Sequence, residues 1–148
     1  MKITVETLVK ASLKKVWDAW NSPAEIKQWN TAQDDWHTTR SSVDLREGGK
    51  FVSRMEAKDG SAGFDFEGTY TRIVPRKAVE YQMSDGREVK VEFVERAEGV
   101  LVKETFDAET ENPPELQRTG WQAILENFRR HVEAKSAAGS ETLTGSRR

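Results

Sequence analysis

Few side chains in this 148-residue sequence are equipped for acid–base or nucleophilic chemistry. There is no cysteine, which removes thiolate catalysis, cysteine-held metal and any disulfide framework. The two histidines, His37 and His131, are not spaced as a metal pair. His37 falls in a polar segment, where it is either solvated or a general base beside a cavity mouth. His131 is expected at the solvent edge near a helix C-terminus, where positive charge is favoured. Glu104 is the most informative single charge. By a period of two it shares a strand face with Val100, Val102 and Phe106, while Lys103 and Thr105 face the other way. On a concave face, that carboxyl would have to find a partner or take up a proton. Arg46 and Arg54 are candidate partners, and a carboxyl so placed is a functional-site candidate. A bulge or a slipped register would put it at the sheet rim instead.

No HExxH, P-loop, GxSxG or dinucleotide fingerprint is present. Gly48-Gly49 is followed by neither a lysine–serine pair nor a helix, so it is no phosphate cradle. No catalytic residue, metal or cofactor is expected on these grounds.

The elements that must position these groups fall into two kinds. Residues 112–135 read as one long amphipathic helix, with Asn112 as N-cap, Pro113 in the first turn and Glu115 completing a capping box. Trp121, Ile124, Leu125, Phe128 and Val132 form its apolar stripe. From Pro114 to Lys135 it is about 33 Å long, enough to cross a sheet. Gly120 interrupts it at a cost of about 1 kcal/mol relative to alanine, which suggests close approach to a bulky strand residue such as Tyr70 or Tyr81, or else room for a ligand or a hinge that lets the helix lift.

Almost everything earlier reads as short strands. Ile3, Val5, Thr7 and Val9 share one face of a first strand. Two short helices follow, one after Ser12 with Val16, Trp17, Ala19 and Trp20, the other signalled by Ser22-Pro23-Ala24-Glu25. Residues 30–42 look like a loop carrying Trp36 and His37. From Val43 the period is two through residue 107, with Asp59-Gly60, Asp85-Gly86 and Glu98-Gly99 as turns. Short connections imply an antiparallel meander, with a bulge or bend at Gly48-Gly49 and Gly68. Residues 1–135 form a single domain in this reading, and 136–148 a disordered polar tail.

Composition narrows the function classes. A formal net charge of −2 argues against nucleic acid as a partner. No apolar run approaches the ~18 residues of a membrane span, so no membrane insertion is expected. The opening residues lack the apolar core of a secretory signal, and a cytoplasmic protein is the expectation. Five tryptophans are many for this length. Trp17, Trp20 and Trp29 are expected in the core, whereas Trp36 is as readily placed at a ligand mouth.

This order of elements resembles the α+β helix-grip fold, a curved antiparallel sheet wrapped around a long C-terminal helix with two short helices after strand one. The fold belongs to the START-like or SRPBCC superfamily, which includes birch-pollen-allergen-like proteins and polyketide cyclases. Within it, the sequence is similar to the branch named for the activator of heat-shock-protein-90 ATPase (AHSA-like). The similarity rests on Val16–Trp20, Ser22–Glu25 with Trp29, Asp44–Phe51, Phe66–Tyr70, Glu104–Phe106, and Gly120-Trp121 with Ile124-Leu125, and covers roughly residues 3–135.

What the resemblance implies is a binding protein for a small hydrophobic molecule held between concave sheet and terminal helix. Trp36, Met55, Phe66, Tyr70, Tyr81, Glu104, Trp121 and Leu125 are the expected lining, with the Tyr70 and Tyr81 hydroxyls and Glu104 orienting the ligand's polar groups. The branch name implies a second reading, a stress-related protein with a chaperone as partner. A third, a cyclase or hydrolase using His37 and Glu104 as acid and base, requires both at one cavity.

Overall fold

The computed structural model describes the backbone of residues 1–146 and the side chains of residues 1–137. Seven strands form a single antiparallel sheet in the order β1-β7-β6-β5-β4-β3-β2, curled into a half-barrel. They are β1 (Lys2–Val9), β2 (Trp36–Val43), β3 (Lys50–Ala57), β4 (Gly63–Val74), β5 (Ala78–Met83), β6 (Glu88–Arg96) and β7 (Gly99–Asp107). Between β1 and β2 lie α1 (Leu13–Asn21) and α2 (Pro23–Trp29), and α3 (Pro114–Ser146) closes the chain. This is the helix-grip arrangement.

The alternation read from the sequence places the core. In β7 the buried residues are Val100, Val102, Glu104 and Phe106, paired in register with Val9, Thr7, Val5 and Ile3 of β1. α1 and α2 plug one side of the curl. Ser12 caps α1, its Oγ accepting from the Lys15 N–H at 3.3 Å, and Pro23 opens α2. Trp29 donates its indole N–H to the Ala19 carbonyl at 3.0 Å, and its ring meets Phe128 of α3 edge-on at 4.9 Å. Trp17 and Trp20 pack on Phe93, also edge-on. Aromatic pairs in this geometry add to burial.

The helix α3 follows the free edge of β1. Arg118 donates to the Thr4 carbonyl at 2.8 Å and Gln122 to the Glu6 carbonyl at 3.1 Å. Glu126 accepts from the Thr7 hydroxyl at 2.5 Å, and Glu133 from the Lys10 N–H at 2.9 Å. An edge strand with unpaired backbone groups is a template for aggregation, and these side chains occupy that edge.

Several expectations need correction. Residues 36–43 are a strand rather than part of a loop, since β2 pairs with β3 from Trp36↔Ala57 to Val43↔Phe51. Its polar sequence, WHTTRSSV, hides a strand whose threonines and serines suit an edge position. The bulges lie between Thr38 and Arg40 and between Tyr70 and Arg72, not at the glycines. Gly68 serves close approach instead: an added Cβ would lie 2.9 Å from a Phe51 ring carbon.

At the start of α3, Glu109 rather than Asn112 organises the turn, its carboxylate accepting the N–H groups of Glu111 and Asn112 at 2.7 and 2.9 Å. The helix also continues to Ser146, where the sequence reading begins a tail at residue 136. No proline follows Lys135 to stop the helix, and Ala137 and Ala138 extend it, although Gly139 and Gly145 are weak helix formers. Residues 147 and 148, the end of that expected tail, lie outside the described residues. Gly120 approaches nothing: a Cβ there would find no atom within 4 Å, so neither Tyr70 nor Tyr81 explains it. His131 is not at a helix end; its Nε2 lies 3.0 Å from Glu25 of α2, which also pairs with Lys135 at 3.1 Å.

Candidate functional site

Because α3 lies against β1, α1 and α2, it stands off from the far side of the curl. Aromatic side chains bridge part of that gap. Trp121 lies on Phe106 of β7 and meets the Phe66 ring of β4 edge-on at 6.4 Å. Phe51 of β3 packs on Tyr81 of β5 with ring centroids 4.7 Å apart. The remaining space is a cavity of about 370 Å³. Its two exposed wall residues, Phe64 and Asn112, sit where β4 begins and between the end of β7 and α3. In an antiparallel sheet those ends coincide, so the mouth opens at that end of the half-barrel.

Glu104 faces this cavity from the centre of β7, between Val5 and Val91 of the neighbouring strands. It is only 5% exposed. Burial pushes its carboxyl up to about 8, which leaves it protonated at neutral pH. Neither expected arginine reaches it. Arg54 pairs with Glu56 at 3.0 Å and Asp65 at 3.5 Å, and Arg46 with Asp44 at 2.9 Å. Tyr81 is held well above the ordinary phenol value by burial and by the nearby Glu104 carboxyl. Burial, with a smaller effect of Asp44, raises Tyr70 to about 12.

Six of the eight expected residues line the cavity: Met55, Phe66, Tyr70, Tyr81, Glu104 and Trp121. Leu125 does not, because it turns into the solid core beside Phe128 and is fully buried there. Trp36 does not either. It stands behind Phe64, ring centroids 5.9 Å apart, and it is Phe64 that borders the space. Phe51 and Ser53 line it too, and the period-two face Phe51-Ser53-Met55 carried that signal in the sequence. Gln117 also lines it and had no such signal. Its amide donates to the carbonyls of Glu109 and Asn112 at 3.1 and 2.8 Å and accepts the Glu109 N–H at 2.9 Å.

His37 is exposed on the outer face of β2, next in the chain to the inward Thr38 and paired with Glu56. It shares no wall with Glu104, so these two side chains do not form an acid–base pair. Among the described residues no group of His, Asp and Glu side chains could hold a metal ion, and no helix is long and apolar enough to cross a membrane.

The sequence profile of the family described as Activator of Hsp90 ATPase homolog 1-like protein matches residues 10–133. The solution structure of the AHSA1-like protein from Aeromonas hydrophila is 52% identical, with a TM-score of 0.87 over 91% of this chain and 94% of that one. The solution structure of Chr148 from Cytophaga hutchinsonii is 44% identical, with a TM-score of 0.79 over 90% and 93%. Protein NE0264 from Nitrosomonas europaea shares the fold at 16% identity, with a TM-score of 0.79 over 93% and 97%. No curated protein matches the chain.

Proposed function

The chain belongs to the family of Activator of Hsp90 ATPase homolog 1-like proteins, and from that premise we propose that it binds a small apolar molecule between the concave sheet and α3. One observation carries this reading: an aromatic-walled cavity of about 370 Å³ with a buried, unpaired carboxyl on its wall. The volume falls in the range of small-molecule sites, ~300–1,000 Å³. Protein interiors are otherwise close-packed, and a void of this size forgoes contacts that larger side chains would supply. Met55, Phe66, Tyr70, Tyr81, Glu104 and Trp121 are the binding residues in this proposal, joined by Phe51 and Phe64.

Native protein extracted into organic solvent and analysed by mass spectrometry should yield a stoichiometric apolar compound. Returning it to stripped protein should raise the melting temperature, as any ligand selective for the folded state does. A stripped protein that nothing from the extract stabilises, and whose cavity admits no apolar probe, would count decisively against binding.

A further inference from the structure

The polar groups of the cavity define what its occupant must offer. Among the described residues, one wholly occluded side-chain oxygen lacks a hydrogen-bond partner, Ser41 Oγ, and it lies elsewhere, on β2. Glu104, Tyr70 and Tyr81 line the cavity, and among the described residues none of their side-chain oxygens has a hydrogen-bond partner. All three groups are protonated at neutral pH, so each presents an O–H donor to a mostly apolar space. A donor left without an acceptor away from water costs free energy, so the fitting occupant brings the acceptor.

Charge narrows the choice further. The other charged groups on the wall are Arg87, paired with Asp85 at 2.7 Å, and Glu109, engaged by backbone N–H groups at the mouth. Among the described residues, no charged side chain of α3, β1 or β6 lines the space. An anionic head would lie beside Glu104 and have to compete with Asp85 for Arg87, and an ammonium head would require Glu104 first to lose its proton. An uncharged acceptor needs neither.

Resting on the binding reading above, we propose that the occupant is an uncharged apolar molecule bearing a carbonyl oxygen, seated so that this oxygen accepts hydrogen bonds from Glu104 and Tyr81. The pairing of a buried acid with a tyrosine hydroxyl on one oxygen is an established way to hold a carbonyl in an apolar site.

Three probes of one size and different head separate the outcomes: acetylnaphthalene, ethylnaphthalene and naphthylethylamine, titrated calorimetrically into the full chain. The ketone should bind about tenfold tighter than the hydrocarbon at neutral pH, the worth of about one good hydrogen bond. Glu104→Leu should erase that preference, and Glu104→Gln, which keeps an N–H donor, should retain most of it. Above pH about 8 the ketone's affinity for the parent protein should fall as the carboxyl ionises, while its affinity for Glu104→Gln should stay level. If Glu104→Leu fails to fold, the Gln comparison and its pH profile decide alone. Equal binding of ketone and hydrocarbon, or tightest binding of the amine, overturns the carbonyl assignment and leaves the cavity a binding site. Binding of none of the three removes the binding reading itself.

Discussion

The indole of Trp121 lies flat on the ring of Phe106, centroids 4.0 Å apart and planes 9° from parallel. Phe106 is fully buried in β7, so this contact fixes the height of α3 above the sheet and forms one wall of the cavity. Trp121→Ala should cost about 3–5 kcal/mol, because the void left would merge with one already present and the surroundings cannot collapse into it. Urea denaturation measures this. A loss below about 1 kcal/mol would mean that the stack does not hold the helix in place.

Glu104 makes stability depend on pH in a stated direction. In the unfolded chain its carboxyl titrates near the ordinary value of 4.5, and in the folded protein at about 8. Between these values the folded state keeps a proton that the unfolded chain has lost. Stability therefore falls as pH rises through this window and levels off above it. Glu104→Gln should flatten that slope and be the more stable protein at about pH 9, each tenfold difference in proton affinity between the two states being worth about 1.4 kcal/mol. Parallel stability curves for the two proteins would show that the carboxyl is solvated.

Two glycines should respond to alanine with opposite signs. At Gly120 a methyl group meets nothing within 4 Å, so Gly120→Ala should stabilise the helix by about 1 kcal/mol. At Gly68 it would lie 2.8 Å from the Gln82 carbonyl oxygen and 2.9 Å from Phe51, so Gly68→Ala should cost about 1–3 kcal/mol. Denaturant midpoints of the pair, measured side by side, check both.

Gln117 ties the turn before α3 to the helix through three hydrogen bonds and is 8% exposed. Gln117→Leu should cost about 2 kcal/mol by stripping partners from Glu109 and Asn112. Amide exchange at Glu109 should accelerate with it. Unchanged exchange would place the support of that turn elsewhere, foremost on the Glu109 carboxylate.

Local patterns carried most of this architecture. The period of two from Phe51 to Phe106 places strands and faces together, which is why the inward orientation of Glu104 was legible from its neighbours Val102 and Phe106. The stripe on α3 identifies what is buried but not against what. Leu125 and Trp121 are both apolar on one helix, and only the curvature of the sheet decides that one meets solid core and the other the cavity. Trp36 escaped because β2 has almost no apolar alternation; its pairing with β3 comes from tertiary context. Gln117 escaped for a related reason. A polar residue inside an amphipathic pattern reads as surface until the turn that it supports is in view.

The first strand is hydrogen-bonded to the seventh alone, Lys2 opposite Asp107 and Val9 opposite Val100. Closing that pair joins segments about a hundred residues apart, and loop-closure entropy opposes it until the intervening hairpins have shortened the path. During synthesis Lys2–Val9 thus leaves the ribosome ahead of the other described strands and helices, and is among the last to find its neighbour. It spends the interval as an unsheltered β-segment, in need of protection long before α3 exists to cover its edge.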